Sequence, residues 1–460
     1  MTLIKSISGI RGTIGGVPGG GLTPVDVVRF ASAYGVWLKL RFPGMRLKVV
    51  TGRDARVSGP IVADLVRSSL VSLGIDVTDI GLASTPTVEI AVSLSGAQGG
   101  VIVTASHNPA EWNALKLLNE KGEFLSASDG EELLAIADKG EFSYSGIESL
   151  GKSVSESGWN DKHIDLVLSN PMVKVDAIKS ARLSIVADCV NSVGGIIIPE
   201  LLRRLGVKKI VPLYCEPTGI FPHNPEPLPE NIAVLSEAVV REQADLGIVV
   251  DPDVDRLAFV CEDGSGFGEE YTLVAVADYM LTRKKGAVVS NMSSSMALRD
   301  VAAKNHCQYY SSPVGEVNVV EEMKRRNAVI GGEGNGGIIV PEMHYGRDAI
   351  AGIALFLSHL ATSGVNCSAL KQSYPSYVIS KNKISLSKGQ NLNEIFSKLK
   401  LFFEGSNVDE RDGLRIENEN GWVHLRASNT EPVIRIYSEA ATQAEAGKFI
   451  EDVMEVVKKT

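Results

Sequence analysis

Cysteine is scarce in this chain and follows no pairing pattern. Cys189, Cys215, Cys261, Cys307 and Cys367 are odd in number and widely separated, with no Cys-x-x-Cys pair. That excludes a disulfide framework, a zinc finger and a dithiol redox centre, and it points to a reducing cytoplasm. Long apolar runs are also missing: the stretch Ala349–Leu357 stops at Ser358 and His359 and is too short to span a bilayer. The opening residues, Met1 to Ser6, lack the charged-then-apolar profile of a signal peptide. There is no basic excess either. A formal net charge of -9 argues against a nucleic-acid or membrane partner, and it requires any anionic substrate to be gripped by a local cluster of arginines.

What the chain does contain is an ordinary globular balance, 44% hydrophobic and 22% charged residues over 460 positions. That length exceeds a single core, since domains usually hold about 100–150 residues, so three or four are expected. Val/Ile-rich bursts at Leu47–Val50, Gly100–Thr104, Leu183–Ala187, Leu246–Val250 and Ala287–Ser290 alternate with amphipathic segments, the pattern of an α/β protein with parallel sheets. Thr23-Pro24 and Thr85-Pro86 each read as an N-cap followed by Pro, and Asp348 opens a helix that Gly364 closes. Short strands at Leu414–Glu417, Trp422–Arg426 and Val433–Tyr437, then a helix at Ala444–Lys458, give the last part an α+β character. Polar stretches place the boundaries so that the domains run 1–150, 151–256, 257–367 and 368–460.

Four motifs carry chemistry. Thr104-Ala105-Ser106-His107-Asn108-Pro109 follows a buried strand, where open α/β sheets place their ligands; a capped turn closed by Asn-Pro would look the same. Asp251-Pro252-Asp253-Val254-Asp255-Arg256 sets three carboxylates at alternate positions, a costly crowding unless they share a hard cation. With Glu262 these match positions 1, 3, 5 and 12 of an EF-hand, but Arg256 stands where that loop needs Gly and the flanks read as strands. Gly331-Gly332-Glu333-Gly334-Asn335-Gly336-Gly337 lets backbone approach a ligand and offers Glu333 and Asn335 to vicinal hydroxyls. Arg426-Ala427-Ser428-Asn429-Thr430-Glu431-Pro432, with Arg435 beyond, gathers donors suited to a phosphate. Arg11, between Gly9 and Gly12, and Lys116, after Asn113-Ala114-Leu115, read alone as surface charges.

Taken together and in this order, the motifs resemble the α-D-phosphohexomutase superfamily, which includes phosphoglucosamine mutases and phosphomannomutase/phosphoglucomutases, and the likeness covers essentially the whole chain. It implies three α/β domains and a TATA-binding-protein-like α+β domain around a central cleft, each giving one motif. It implies Ser106 as the phosphoserine and, with Asp251, Asp253 and Asp255, a Mg²⁺ ligand. It further implies Glu333 and Asn335 as sugar readers, and Arg426, Ser428, Asn429, Thr430 and Arg435 as the phosphate site. Arg256 would line the cleft, while Arg11, His107 and Lys116 would assist proton transfer and charge stabilisation. Lys116 would accept the hydroxyl proton if the cleft lowers its pKa.

The implied reaction interconverts hexose 1-phosphate and 6-phosphate through a hexose 1,6-bisphosphate, which also serves as activator, with no partner beyond the phosphosugar; a monomer or homodimer is expected. Glucosamine is the first choice of sugar and mannose or glucose the alternative. A metal-dependent phosphatase and a non-catalytic sugar-phosphate binder are the rivals. The region Ser368–Asn393 would be a hinge for the last domain. Pro252, where Gly is usual, and Asn335-Gly336-Gly337, where many bacterial relatives carry Ser, Gly and His, depart from the common pattern. His223, His344, Arg347 and Pro313–Glu316 stay open between cleft-lining and structural roles.

Overall fold

The computed structural model describes residues 1–6, 9–385, 391–427 and 433–459. The described residues form four sheets in succession. In the first, Gly99–Val103, Lys48–Arg53, Asp76–Leu82 and Ser153–Ser155 run parallel, while Trp112–Leu118, Gly9–Thr13 and Leu3–Ser6 extend it antiparallel. The second orders Leu257–Cys261, Leu246–Val250, Ser184–Asp188 and Lys209–Leu213, the third Tyr309–Ser312, Val288–Asn291, Ile330–Glu333 and Gly337–Ile339. Each of these two is parallel apart from one antiparallel edge strand, Leu257–Cys261 or Gly337–Ile339. The α/β reading holds. The strand Leu246–Val250 is buried at every position, as a parallel strand covered on both faces must be.

The fourth sheet is wholly antiparallel, ordered Val378–Ser385, Val433–Ala440, Gly421–Ala427, Leu414–Asn418 and Asn407–Asp409. The helices Leu392–Phe402 and Gln443–Lys458 share its core, built on Leu399, Leu425, Ile436, Phe449 and Val453.

Capping signals are largely accurate. Thr23 caps Pro24–Arg41 in a capping box, and Asp348 caps Ala349–Ser363, which ends on the left-handed Gly364. The exception is Thr85, which is the first helical residue of Thr85–Ser95, because Ser84 takes the cap and accepts from the Thr87 N–H. No helix among the described residues is long and apolar enough to cross a membrane.

The sheets shift three expected boundaries. Ser153–Ser155 pairs with Asp76–Leu82, so the first unit runs past residue 150. Leu257–Cys261 pairs with Leu246–Val250, so a break after Arg256 would split a hairpin. Residue 368 falls inside the helix Cys367–Gln372, whose Cys367 and Leu370 enter the core shared by the second and third sheets. The join expected after Arg256 falls at a polar loop, but that loop connects two buried strands of one sheet. That shared core includes Phe259 stacked on Phe356 at 3.8 Å between ring centroids. The chain crosses to the last unit near Pro375 and Tyr377, where Tyr271 Oη donates to Pro375 O at 2.8 Å and accepts from Tyr377 N at 2.9 Å.

Candidate active site

The serine loop leaves the buried strand Gly99–Val103 and turns at once. Ser106 adopts a left-handed φ of 49°, uncommon for a side chain with a Cβ and often found where geometry is imposed for function. The imposing group is Arg56, itself fully buried. Its Nη2 donates to the carbonyls of Ser106 and Asn108, each at 2.6 Å, its Nη1 to those of Pro109 and Trp112, and its Nε to Asp54. Thr104 Oγ1 donates to Asp54 and accepts from the Ser106 N–H. Burial pushes the Asp54 carboxyl up, against the pull of Arg56.

The aspartate loop meets this turn from the second unit. Val254 at φ 62° lets Asp251, Asp253 and Asp255, none of them exposed, bring one carboxylate oxygen each within 4.8 Å of the others. Ser106 Oγ donates to Asp251 Oδ2 at 2.7 Å. Asp251 Oδ1 accepts from the N–H groups of Asp255 and Arg256, both at 3.1 Å. Asp253 Oδ2 accepts from Thr85 Oγ1 and Lys116 Nζ, at 2.5 and 2.6 Å. Asp255 Oδ2 accepts from Lys116 and from Arg347 Nη2, at 3.0 and 2.8 Å. Oδ1 of Asp253 and of Asp255 are buried with no hydrogen-bond partner among the described residues. Orphaned, buried carboxylate oxygens in a three-carboxylate cluster suit a hard divalent cation.

Burial, then the charges of Asp253 and Asp255, hold Asp251 well above the usual carboxylate range. Burial also acts on Asp255, yet Arg347 and Lys116 outweigh it and hold that carboxyl below the range. The EF-hand alternative fails on geometry. The flanks are paired strands, and Glu262 turns to Ser368, accepting from its N–H at 3.1 Å and its hydroxyl at 2.5 Å.

Lys116 corrects one expectation. Burial alone would lower its pKa, but Asp253 and Asp255 more than compensate and raise it, so the ammonium is a counter-ion of the cluster. His107 moves the other way: burial and Arg256 depress it well below the usual value, leaving a neutral ring whose Nδ1 lies 3.4 Å from Ser106 Oγ. Arg11 donates to Asn108 at 3.3 Å, and its pKa is lowered by burial and then by the charges of Arg256 and Arg435. Arg256 donates from Nη1 to Glu226 and keeps a buried Nε with no partner among the described residues.

From the third unit, Glu333 Oε1 accepts from Asn291 and the Gly315 N–H, and Oε2 from Arg347 and, at 3.5 Å, Asn335. Gly336 has φ +85°, and a Cβ there would lie 2.2 Å from the Leu257 carbonyl, which ties the Gly331–Gly337 loop to the strand after the aspartates. Arg347 joins three carboxylates at once, Asp255, Glu316 and Glu333. In the fourth unit Arg426 and Arg435 are cross-strand neighbours, and Arg426 Nε pairs with Asp412 at 2.8 Å. Ser428, Asn429 and Thr430 lie outside the described residues.

Among the groups that converge here, those at the strand ends are the ones the sequence singles out, whereas Arg56, Asp54 and Thr85 are not among its candidate site residues. The one available signal was Asp54-Ala55-Arg56 directly after the strand Lys48–Arg53, the same strand-end position that singled out the aspartates.

Comparison with known proteins agrees with this geometry. Residues 3–144, 161–265 and 268–377 match the phosphoglucomutase/phosphomannomutase alpha/beta/alpha domains I, II and III, and residues 381–456 match the C-terminal domain of the same family. A phosphoglucomutase/phosphomannomutase of Thermococcus kodakarensis is 36% identical over 449 residues, 96% of each chain. A phosphoglucosamine/phosphogalactosamine mutase of Sulfurisphaera tokodaii is 30% identical, over 95% of this chain and 96% of that one. The crystal structure of a phosphoglucomutase/phosphomannomutase family protein from Burkholderia thailandensis superposes with a TM-score of 0.84 at 25% identity, covering 99% of this chain and 98% of that one. The chain belongs to the phosphoglucomutase/phosphomannomutase family. It is a phosphohexomutase, an intramolecular phosphotransferase.

Proposed function

We propose that the enzyme interconverts glucosamine 6-phosphate and glucosamine 1-phosphate by way of phosphorylated Ser106 and a hexose 1,6-bisphosphate. The observation that carries the route is the 2.7 Å contact between Ser106 Oγ and Asp251, beside carboxylate oxygens that have no hydrogen-bond partner among the described residues. Asp251, Asp253 and Asp255, with an oxygen on Ser106, would hold Mg²⁺, which when bound neutralises charge on the transferring phosphoryl group.

In the forward half-reaction the bond between Ser106 Oγ and phosphorus breaks and a bond to the sugar hydroxyl oxygen forms. The hydroxyl proton passes to a nearby base, for which Lys116 and the neutral His107 are the candidates. Lys116 can serve only once the negative charge of Asp253 and Asp255 is engaged elsewhere, because that charge is what raises its pKa. In the return half-reaction the other sugar oxygen–phosphorus bond breaks as Ser106 Oγ bonds that phosphorus, the serine proton is released and the freed sugar oxygen takes up the proton held by the base. Glu333 and Asn335 would read sugar hydroxyls, while Arg11, Arg256, Arg426 and Arg435, with Ser428, Asn429 and Thr430, would hold the phosphate that is not reacting. The joint near Pro375–Tyr377 would be the hinge. A small phosphosugar is the only partner this chemistry needs, and a cytoplasmic monomer or homodimer fits it.

Glucosamine is placed first because relatives named for amino sugars match along the whole chain; mannose and glucose are the alternatives. The test is a coupled assay on phosphorylated enzyme with Mg²⁺ and a trace of hexose 1,6-bisphosphate, comparing the 1-phosphates of glucosamine, glucose and mannose. Preferred isomerisation of the amino sugar, absent in Ser106→Ala, supports the reading. Preference for another sugar replaces the substrate, and release of inorganic phosphate without isomerisation overturns the route.

A further inference from the structure

A second polar cluster lies where the first three units meet, outside the site just described. The helix Thr85–Ser95 brings Thr87 and Glu89, the helix Trp159–Ser169 brings His163, and the segment before Ala349–Ser363 brings His344 and Asp348. His163, Asp348 and Glu89 are fully buried and the His344 side chain nearly so.

Both imidazoles turn Nε2 toward one oxygen. His163 Nε2 lies 2.9 Å and His344 Nε2 3.3 Å from Asp348 Oδ2, and the three ligand atoms fall within 4.8 Å of one another. Metal–ligand bonds of about 2.0–2.1 Å in tetrahedral geometry put neighbouring ligand atoms about 3.3 Å apart. Asp348 Oδ1 is engaged elsewhere, accepting from the N–H groups of Ile350 and Ala351, so only Oδ2 faces the rings.

The outward nitrogens complete the pattern. His163 Nδ1 lies 2.9 Å from Thr87 Oγ1, and His344 Nδ1 lies 3.2 Å from Glu89 Oε2. A ligating histidine characteristically directs its other ring nitrogen to a hydroxyl, carbonyl or carboxylate that fixes tautomer and orientation. Glu89 Oε1 is buried with no hydrogen-bond partner among the described residues. Two buried carboxylates, Asp348 and Glu89, face the imidazoles here, and a divalent ion would neutralise both.

We propose that His163, His344 and Asp348 form a second metal site, selective for a borderline ion such as Zn²⁺ over Mg²⁺ because two of its three ligands are imidazoles. Glu89 and Thr87 orient the rings. Ligands from the second and third units and orienting groups from the first make the ion a fastener of the three-unit junction. The helix Thr85–Ser95 links the two sites, since Thr85 bonds Asp253 one turn before Glu89.

Titration of chelator-treated protein with Co²⁺, in excess Mg²⁺ to occupy the aspartates, tests this. The expected result is strong visible absorption of a low-coordinate nitrogen/oxygen site that saturates at a single equivalent, is displaced by Zn²⁺ and is accompanied by a higher Tm. His344→Gln should abolish it, and Glu89→Gln should weaken Co²⁺ affinity about 10–100-fold. A spectrum of only the weak octahedral type, or a strong band unchanged in both His163→Gln and His344→Gln, overturns the site. Should the histidine variants not fold, the wild-type spectrum decides alone, and its lack of a strong saturable band would leave His344 as an imidazolium between Asp348 and Glu89.

Discussion

Lys116 Nζ stands 2.6 Å from Asp253 Oδ2, so the residue expected to take a proton is bound to a residue expected to take a metal. Cation binding at the aspartates should therefore lower the Lys116 pKa. The lysine titration, followed by NMR on selectively labelled protein, should move down when Mg²⁺ is added, and an unchanged titration would exclude Lys116 as the base. Lys116→Met should reduce kcat by about 10²–10⁴-fold, the range for a positioned proton-transfer group.

Removal of divalent ions should abolish isomerisation and Mg²⁺ should restore it. Asp253→Asn keeps the shape and deletes one charge, so it should raise the Mg²⁺ concentration needed for half-maximal rate. Retention of full activity in EDTA would refute the assignment of the aspartates.

Arg56→Met should destabilise the protein by about 3–5 kcal/mol, the range for breaking a buried ion pair, because it strands Asp54 and frees four carbonyls of the serine loop. Urea unfolding measures the loss. A variant of unchanged stability would mean that the turn at Ser106 holds itself.

Glu316 predicts a pH effect. Burial raises its pKa from 4.5 to about 7, against Arg347, whose charge is shared with Asp255 and Glu333. The folded protein keeps this proton over a range where the unfolded chain has released it, so stability should fall as pH rises from 4.5 to about 7 and level off above. The drop is at most about 3.5 kcal/mol, from about 1.4 kcal/mol per pH unit. Glu316→Gln should remove that slope from urea midpoints measured across the range, and an undiminished slope would assign it to another group.

The architecture was legible where chemistry and periodicity coincide. Leu246–Val250 announced itself as a continuous apolar run with carboxylates at its end, and it is a buried strand delivering them. Thr23 and Asp348 were readable as caps because capping is local. Long-range pairing was not. Nothing in Leu257–Cys261 says which sheet it joins, and Arg56 looks like a surface charge until the chain folds four carbonyls around it. The role of Arg347 is hidden for the same reason, since its three carboxylates come from distant positions.

The hydrogen bond from Ser106 to Asp251 exists only while the serine is a free alcohol. A phosphorylated oxygen has no proton to donate, and it brings about −1.5 to −2 charge against three carboxylates. On the proposed route, loss of the phosphate would restore this hydrogen bond and its return would break it. An enzyme molecule that released its bisphosphate early would be left with this free serine held by Asp251, and its return to the cycle would require a separate phosphorylation of Ser106.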